Sequence, residues 1–379
     1  MRGKRDPMGK RLLIAGGGTG GHLFSAMAVA EEWLAADPEN QVRFIGTATG
    51  IEGRVLPEAG YSIAFIRVRA LAGKSLGKKA KDSLVLPLSL YQSWRVIRRF
   101  RPEVALGVGG FVSGPPLLVA RLLRLPTAIQ EQNSVPGNTN LILSRLVDRV
   151  FINLEMTRAS FPEADRAGRV VVAGNPIRRA IREKIEAGRQ HPPNHARVCL
   201  LVVGGSQGAR RLNYLVMEAM NYLKEFKDVI KIIHQTGSGD VIGVVSTYAR
   251  MDFRARVQEF ITDMASALAE ADIIISRTGA GAMAEIALAG KPSILVPFPY
   301  ATGDHQTKNA QAMVDAGAAS VFLEQKLTGK RLAEELRPLI ENPALRKERG
   351  DKARALAKPD AAKTVVQGLY DLLATRKKT

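Results

Sequence analysis

Short apolar runs alternate with longer amphipathic stretches along the chain, and several of these runs end at glycine. In the first half, the runs with the composition of strands are residues 12–15, 42–45, 63–68 and 104–108. In the second half they are residues 198–203, 230–233, 257–260, 273–275 and 293–296. Helical spacing fills the intervals, as at residues 24–36, 212–226, 264–269 and 281–289. This alternation predicts an α/β protein with parallel, doubly wound sheets.

Two of the apolar runs end in similar glycine clusters, about half a chain apart. Residues 11–22 read RLLIAGGGTGGH, and residues 198–209 read VCLLVVGGSQGA. A strand that turns through glycines into a helix directs backbone N–H groups and the helix N-terminus to one point, which suits an anion. Two copies predict two α/β domains that face each other across a cleft. A third glycine turn, GVGGFVSGPP at residues 107–116, could form a wall of the binding site.

The chain is long enough for two hydrophobic cores, and a break between them is predicted near residues 174–177. There, glycine and proline follow the apolar run 170–173, and the charged, proline-containing stretch 182–197 fits a surface connection. Residues 361–373 are amphipathic and predict a last helix. The expected organisation is therefore a first domain at residues 1–177, a second at residues 178–358, and a C-terminal segment, residues 359–379, that packs back on the first domain.

Composition is typical of a soluble protein, with 46% hydrophobic and 24% charged residues. The single cysteine, Cys199, lies in an apolar run, which predicts a buried thiol in a reducing compartment. The first eight residues lack the apolar core of a signal peptide, and the sequence contains no run of 18 apolar residues. These features predict a cytosolic protein.

Charge is the compositional outlier: 55 Lys and Arg against 36 Asp and Glu give a net charge of +19, which favours anionic partners. Cations flank the apolar stretch of residues 84–94, with its candidate membrane contacts Leu84, Leu86, Leu88 and Trp94. They are Lys74, Lys78, Lys79, Lys81, Arg95, Arg98, Arg99 and Arg101. This pattern suits an anionic membrane surface; the alternative is a core helix with a solvated basic rim. Nucleic acid is not an expected partner, because no recognised motif accompanies the charge.

Several kinds of chemistry are disfavoured by the motifs. The first glycine cluster matches the dinucleotide pattern GxGxxG, but no acidic residue directly follows the second strand to bind a ribose, so a dehydrogenase is not expected. There is no Walker A lysine pattern. Prolines separate His191 from His195, which argues against a helical zinc pair. No Asp-x-Asp pair is present to hold a metal diphosphate, so no metal site is predicted.

Three places carry candidate polar chemistry. His22 ends the first glycine cluster and is either a cleft-facing imidazole or a capping and packing residue. Residues 278–285, TGAGAMAE, follow a strand and open a helix; Glu285 either accepts hydrogen bonds from a ribose diol or is an ordinary first-turn glutamate favoured by the helix dipole. Residues 304–309, DHQTKN, offer donors for sugar hydroxyls or are simply solvated turn residues.

The ordered strings GGTGGH, GVGGFVSGP, EQN, GNPIR, GGSQGA and TGA…AEI resemble the GT-B family of N-acetylglucosaminyltransferases that convert lipid I to lipid II in peptidoglycan synthesis. The resemblance runs from Gly16 to Asn309. It implies two Rossmann-like parallel-sheet domains facing across a cleft. The first would take the lipid acceptor and the second UDP-N-acetylglucosamine. It implies no cofactor, although magnesium could stimulate the reaction.

The resemblance also implies roles for individual residues. On the acceptor side it places Thr19, His22, Glu131 and Asn133, with Gly110 and Ser113 beside them; Thr19, Gly20, Gly21 and Asn133 are also counted among the donor contacts. On the donor side, Ser206 and Gln207 would contact the diphosphate, and Arg178 would approach the donor. The backbone at Phe260 and Ile261 would read uracil, and Glu285 would bind the ribose. Gln306 and Asn309 would hold the sugar hydroxyls, and the remaining donor contacts are Met264, Thr278, Gly279 and Ala280.

One difference from the family's usual sequence affects the choice of general base. Family members often have histidine where this chain has Gln130, which leaves His22 as the main histidine candidate. The implied reaction is an inverting single displacement, with His22 as the first choice of general base and Glu131 as the second. The implied location is peripheral, on the cytoplasmic face of the inner membrane. Three alternatives stay open: a diacylglycerol glycosyltransferase, an epimerase of UDP-N-acetylglucosamine, and a non-enzymatic protein that binds polyanions.

Overall fold

The structure is a computed structural model that describes residues 9–69, 85–190, 197–205 and 208–376. Two compact units divide the chain. Unit 1 comprises Met1–Arg178 and Asp360–Thr379, and unit 2 comprises Arg179–Pro359. The predicted limits after residues 177 and 358 each lie one residue before a boundary of these units.

Unit 1 is built on a parallel sheet that contains seven strands in its described part. They are β1 (Arg11–Ala15), β2 (Gln41–Gly46), β3 (Ile63–Phe65), β4 (Val104–Gly107), β5 (Thr127–Glu131), β6 (Arg149–Ile152) and β7 (Val170–Val172). The strand order is β3-β2-β1-β4-β5-β6-β7. On central strand β1, Leu12 and Ile14 join one buried cluster, while Leu13 and Ala15 join another. Both faces of the strand are buried, which explains its uninterrupted apolar sequence.

Helices cover both faces of this sheet. In the part of unit 1 that the structure describes, they are α1 (Gly20–Ala36), α2 (Glu52–Glu58), α3 (Val85–Phe100), α4 (Gly114–Leu122), α5 (Asn138–Leu143), α6 (Pro162–Arg166) and the C-terminal helix α15 (Ala361–Arg376). Helix α15 packs against α1, where the rings of Trp33 and Tyr370 stack with centroids 4.7 Å apart. The Asn40 side chain donates a hydrogen bond to the Tyr370 hydroxyl at 2.6 Å. The last helix therefore completes the core of unit 1.

Unit 2 repeats the architecture with a parallel sheet of six strands in its described part. They are β8 (Val198–Val203), β9 (Ile230–Gln235), β10 (Arg254–Gln258), β11 (Ile273–Ser276), β12 (Ser293–Leu295) and β13 (Ala319–Val321), in the order β10-β9-β8-β11-β12-β13. The helices are α7 (Arg179–Gln190), α8 (Arg210–Asn221), α9 (Val241–Arg250), α10 (Met264–Glu270), α11 (Ala280–Ala289), α12 (His305–Asp315), α13 (Gly329–Glu341) and α14 (Pro343–Ala355). The prediction of an α/β protein with two parallel sheets is confirmed.

The stretch predicted as a surface connection, residues 182–197, is a helix over most of its described part. Helix α7 spans Arg179–Gln190 and buries Ile181 and Ile185, which are four residues apart on one face. This helix was not predicted from the sequence, because the many charged residues on the opposite face hid its apolar spacing.

Cys199 lies fully buried in β8, so the prediction of a buried thiol is confirmed. Burial raises the pKa of this thiol to about 12. Within the described ranges, no helix has both the length and the apolar character needed to cross a bilayer.

Candidate functional site

The first glycine loop connects β1 to α1 and packs against the glycine turn after β4. Gly16, Gly17 and Gly18 have φ values of 151°, 154° and 86°, which disfavour any residue with a side chain. A Cβ atom on Gly110 would lie 2.7 Å from the carbonyl oxygen of Gly17. The two loops therefore touch backbone to backbone at the carboxyl ends of β1 and β4, where sites of parallel sheets lie.

His22 and Thr19, both predicted site residues, lie side by side at this point. His22 is half-buried in the first turn of α1, and its Nδ1 is 3.2 Å from the Thr19 hydroxyl and 3.3 Å from the Gly17 carbonyl oxygen. A Cβ atom on Gly109 would lie 3.0 Å from Nε2 of His22. The glycine at position 109 thus leaves room for the imidazole. Gly20 and Gly21 precede His22 in the same turn.

Glu52 lies beneath the first glycine loop, and sequence reasoning did not identify it as a site residue. Its side chain is fully buried and accepts hydrogen bonds from the backbone N–H of Gly18 at 3.0 Å and from the N–H and hydroxyl of Thr47 at 3.0 and 2.8 Å. Burial raises the pKa of Glu52, but these hydrogen bonds outweigh it and hold the pKa below its ordinary value. The Gly18 amide predicted to face an anion is therefore already bound to a carboxylate of the protein.

Glu131, the second choice of base, has an internal structural role. It is buried at the end of β5, and both carboxylate oxygens accept hydrogen bonds. Oε1 accepts from the Asn133 backbone at 3.0 Å, and Oε2 from the Gly137 backbone at 3.1 Å and the Asn140 side chain at 2.8 Å. A carboxylate held in this way fixes the turn after β5, so the geometry disfavours its use as a base. Asn133 is half-buried, and its side chain also points to Glu131, at 3.3 Å.

Gln130 belongs to a buried polar cluster. The Ser25 hydroxyl lies 3.1 Å from its Oε1 and 3.0 Å from Oδ1 of Asn175. Gln132 donates to the same Gln130 oxygen at 3.3 Å and to the Val108 carbonyl oxygen at 3.0 Å. The Oε1 of Gln130 therefore accepts two hydrogen bonds, while its buried Nε2 has no hydrogen-bond partner among the described residues.

The remaining predicted site residues of unit 1 make different contacts or lie outside the described residues. The buried Ser113 hydroxyl donates to the Gly110 carbonyl oxygen at 2.8 Å and so closes the turn before α4. Arg178 is half-buried, with its guanidinium carbon 4.7 Å from the centroid of the Phe24 ring. Leu84 and the four lysines at positions 74, 78, 79 and 81 lie outside the described residues.

Helix α3 exposes its apolar residues and buries its small polar ones. Ser89, Ser93 and Ile97 are its buried residues, whereas the exposed fractions are 44% for Leu86, 40% for Leu88, 57% for Tyr91 and 42% for Trp94. An ordinary core helix has the reverse arrangement. Leu122 on α4, which packs against α3, and Ile142 on α5 are also exposed. We call the set Leu86, Leu88, Tyr91, Trp94, Leu122 and Ile142 the apolar surface.

Cations border the apolar surface. Arg95, Arg98 and Arg99 are exposed on the same helix, and the Arg98 guanidinium lies 5.9 Å from the Trp94 ring. The alternative of a core helix with a basic rim is disfavoured, because the large apolar residues are the exposed ones.

The second glycine loop follows β8, and its centre, Ser206 and Gln207, lies outside the described residues. On its flank, buried Gln235 donates to the Gly205 carbonyl oxygen at 2.9 Å and accepts from the Ile261 backbone N–H at 2.9 Å. Gln235 thus ties the glycine loop to the segment predicted to read uracil. Sequence reasoning missed this residue, although the polar sequence HQT ends an otherwise apolar run. Ile261 is buried, Phe260 is exposed, and Met264 begins α10 half-buried.

The structure brings Thr278, Gln306 and Asn309 together. The Thr278 hydroxyl donates to the Gln306 carbonyl oxygen at 2.7 Å, and the Asn309 side chain donates to the Thr278 carbonyl oxygen at 3.1 Å. Oε1 of Gln306 accepts from the Phe298 backbone at 2.9 Å. Both predicted sugar-binding amides therefore also brace the strand ends from which α11 and α12 start.

Helix α11 begins directly after this cluster. Gly279 is its N-cap and Ala280 its first residue, so small side chains surround the helix start. Glu285, the predicted ribose ligand, is half-buried and is the sixth residue of the helix. Because it lies beyond the first turn, the helix dipole does not explain its presence.

Arg277 and His234 are buried in unit 2 and were not predicted. Arg277 donates to the carbonyl oxygens of Val296 and Pro297 at 3.1 and 3.0 Å and pairs with Glu324. These contacts join the ends of neighbouring strands.

Burial lowers the pKa of His234 to about 3, so the imidazole is neutral. Its Nε2 is 3.0 Å from Oδ1 of Asn213 and its Nδ1 is 2.8 Å from the Tyr248 hydroxyl.

Within the described residues, no group of three or more His, Cys, Asp or Glu side chains is arranged to hold a metal ion.

Two family models match the chain. One is described as the glycosyltransferase family 28 N-terminal domain and matches residues 12–152; the other is described as the glycosyltransferase family 28 C-terminal domain and matches residues 199–365. Together they cover well over half of the sequence.

Relatives similar over almost the whole chain carry one name, UDP-N-acetylglucosamine–N-acetylmuramyl-(pentapeptide) pyrophosphoryl-undecaprenol N-acetylglucosamine transferase. The protein of Myxococcus xanthus is 46% identical, over 96% of this chain and 93% of its own. That of Geobacter sulfurreducens is 43% identical, over 97% of this chain and 99% of its own. The crystal structure of Acinetobacter baumannii MurG matches with a TM-score of 0.76 and 34% identity, over 96% of this chain and 99% of that one.

Proposed function

We propose, from the premise that this chain belongs to glycosyltransferase family 28, that it transfers N-acetylglucosamine from UDP-N-acetylglucosamine to the muramyl 4-hydroxyl of lipid I and so forms lipid II. The single observation that carries the proposal is the near-full-length similarity to relatives named for this transfer. The expected GT-B class is confirmed by the two parallel-sheet units and the similarity to the MurG structure.

The donor is assigned to unit 2. Gln235 couples the glycine loop to Phe260 and Ile261, which supports a continuous surface for the uridine and diphosphate. Since the Ile261 N–H is bound to Gln235, uracil recognition at this residue would use its carbonyl oxygen. Glu285 would bind the ribose, while Gln306 and Asn309 would contact the sugar. The start of α11 and the glycine loop would stabilise the departing diphosphate with backbone N–H groups.

The acceptor is assigned to unit 1, where Thr19 and His22 lie beside the Gly109–Gly110 turn. The acceptor oxygen would attack the anomeric carbon as the bond to the diphosphate breaks on the opposite face, so the configuration inverts. The transition state would have oxocarbenium character. His22 would take the proton of the attacking hydroxyl, since an imidazole titrates near neutral pH. We do not assign this step to Glu131, because its oxygens accept hydrogen bonds from the turn after β5.

The apolar surface and its arginines would bind an anionic membrane, where a polyprenyl-linked acceptor resides. Exposed leucine, tyrosine and tryptophan beside arginine suit the boundary between headgroups and acyl chains. We therefore place the protein on the cytoplasmic face of the inner membrane as a peripheral protein. No cofactor is assigned, and any effect of magnesium would be stimulation, so transfer should persist in EDTA.

An acceptor panel tests the proposal. Purified protein is incubated with radiolabelled UDP-N-acetylglucosamine and a lipid I analogue, diacylglycerol, or no acceptor. We expect label in the lipid fraction only with the lipid I analogue. Labelling of diacylglycerol would favour the related lipid glycosyltransferase, and conversion of the donor to its epimer without acceptor would favour the epimerase. Failure to bind the donor in calorimetry would favour a polyanion-binding protein.

A further inference from the structure

We propose that Glu52 is a positioning residue for the transfer reaction: its buried carboxylate holds the first glycine loop from beneath and thereby fixes Thr19 and His22. The inference rests on the proposed function, because it assigns to Glu52 the support of the proposed base. Glu52 itself would touch neither substrate.

The hydrogen bonds of Glu52 connect two segments of the chain that are far apart in sequence. One carboxylate oxygen accepts from the Gly18 backbone, in the glycine loop, and the other accepts from the backbone and hydroxyl of Thr47, just after β2. Three hydrogen bonds to a fully buried carboxylate are worth more than three between neutral groups. The glycine loop is therefore anchored to the end of β2 through one side chain.

Three glycines surround this carboxylate because no side chain could share its space. A Cβ atom on Gly17 would lie 2.4 Å from Cδ of Glu52, one on Gly50 would lie 2.2 Å from its Oε2, and one on Gly46 would lie 2.6 Å from its Cγ. Each distance is too short for a real contact. The glycines at these positions are thus fitted to Glu52 as well as to the turns in which they lie.

The anchored loop carries the groups that hold His22. Gly17, which lies against the Glu52 carboxylate, presents its carbonyl oxygen to Nδ1 of His22, and Gly18 directly precedes Thr19. The same Gly17 oxygen lies against Gly110 of the neighbouring turn. A shift of the Gly17–Gly18 backbone would therefore move the imidazole and its hydroxyl neighbour together. A misplacement of about 1 Å at a reacting group can cost about 100-fold in rate.

The charge of Glu52 also gives the loop a character different from that of a phosphate-binding loop. In such a loop the backbone N–H groups are left for the ligand. Here the Gly18 N–H is bound to an internal anion, which would repel a second anion at the same place. The Gly18 N–H is therefore not available to a ligand.

Glu52→Gln tests the proposal, with Glu58→Gln as the matched control because Glu58 is an exposed carboxylate at the end of the same helix. In the variant, an NH2 group replaces one of the two acceptor oxygens. This group must face either the Gly18 N–H or the Thr47 donors, so one hydrogen bond is lost. We expect kcat for transfer to a lipid I analogue to fall about 100-fold, with the dissociation constant for UDP-N-acetylglucosamine within twofold of wild type. The control should match wild type in both.

A spectroscopic readout separates positioning from general loss of stability. The chain has five histidines, and a His22→Asn variant identifies the His22 imidazole signals by their loss. We expect Glu52→Gln to move those signals and to leave those of the buried His234 unchanged. The rate of each variant is measured at a temperature that lies the same number of degrees below its own melting midpoint. A purely structural role predicts a wild-type kcat and unmoved His22 signals under these conditions, and that result would overturn the proposal.

Thr47→Val provides a second variant in case Glu52→Gln does not fold. It removes one hydrogen bond to Glu52 and keeps the carboxylate. We expect kcat to fall by about threefold to tenfold with donor affinity unchanged. A wild-type kcat in this folded variant would contradict the proposal. Absence of transfer by the wild-type protein would instead refute the proposed function, so the two failures are distinguishable.

Discussion

At the scale of single residues, the molecule separates groups suited to chemistry from groups that hold the chain in place. His22 is half-buried beside Thr19, whereas Glu131 is fully engaged by its own turn. Gln235 and Glu52 each tie a glycine loop to a neighbouring strand end. The two loops are therefore braced in the same manner, by an uncharged amide in unit 2 and by a carboxylate in unit 1.

The role of His22 gives a direct kinetic prediction. His22→Ala should lower kcat by about 100-fold to 10,000-fold, the range over which a general base contributes. The dissociation constant for UDP-N-acetylglucosamine should stay within twofold, because the donor is assigned to unit 2. Steady-state kinetics with a lipid I analogue and calorimetry with the donor measure the two quantities. An unchanged kcat would remove His22 from the mechanism.

The buried imidazole of His234 predicts how stability depends on pH. Its pKa is about 3 in the folded chain, against about 6.5 in the unfolded chain. Between these two pKa values, the unfolded state therefore binds a proton at His234 and the folded state does not. The stability that the neutral imidazole provides is fully present above about pH 6.5 and is lost as pH falls toward 3, at up to about 1.4 kcal/mol per pH unit.

His234→Gln should abolish that part of the pH dependence. The variant should be less stable at pH 7, because contacts to Asn213 and Tyr248 change, but its free energy of unfolding should fall less steeply between pH 6 and 4. Urea titrations of both proteins across this range provide the comparison. Parallel pH profiles would show that His234 does not titrate on unfolding.

At the scale of elements, the strands that sequence predicted best are the uninterrupted apolar runs, whereas β5, which is buried throughout, was not predicted because Thr127, Gln130 and Glu131 interrupt its apolar pattern. Strands β1 and β8 are uninterrupted apolar runs that end at glycine, and their positions were clear from the sequence. Strand β10 was displaced in the prediction because it is a sheet edge and its first three residues, Arg254 to Arg256, are exposed. Helix α7 was missed because charge outweighed its apolar spacing.

The supports of the site could not be predicted from sequence because they depend on tertiary contacts. Glu52 lies 34 positions from Gly18, and Gln235 lies 26 positions from Ile261. The polar sequence HQT after an apolar run distinguishes Gln235, but no local pattern shows which distant loop either residue supports. The motifs did indicate the places where the two loops lie, since glycines at positive φ are required there.

Helix α3 carries the prediction about membranes. Replacing Leu86, Leu88 and Trp94 with serine should reduce binding to vesicles that contain anionic phospholipid by at least about tenfold, because each substitution removes exposed apolar area. Nucleotide binding should be unaffected. Vesicle sedimentation measures the partition coefficient.

A matched triple variant controls for the loss of exposed apolar residues in general. Tyr214, Ile242 and Val245 are exposed on helices of unit 2, and their replacement with serine should leave vesicle binding unchanged. Equal losses in the two triple variants would mean that the apolar surface of unit 1 has no special role.

At the scale of the whole molecule, the chain begins and ends in the same unit. Helix α15 contributes Val365, Val366 and Leu369 to the core that also contains Trp33 of α1. Residues 361–376 are therefore part of the fold of unit 1.

Leu369→Ala should destabilise unit 1 by about 2–5 kcal/mol, because it opens a cavity in a fully buried cluster. Calorimetric binding of UDP-N-acetylglucosamine should persist, since unit 2 does not include this helix. Gln367→Ala, at an exposed position of α15, is the control and should cost less than about 0.5 kcal/mol. Equal effects of the two substitutions on thermal unfolding would refute the assignment of α15 to the core.

The most direct test of the central claim is the structure of the product made from UDP-N-acetylglucosamine and a lipid I analogue. The account predicts that mass spectrometry and NMR will find one N-acetylhexosamine joined to the muramyl 4-oxygen in the β configuration, with one UDP released for each bond formed. Free sugar, an epimerised donor, or an α linkage as the product would contradict it.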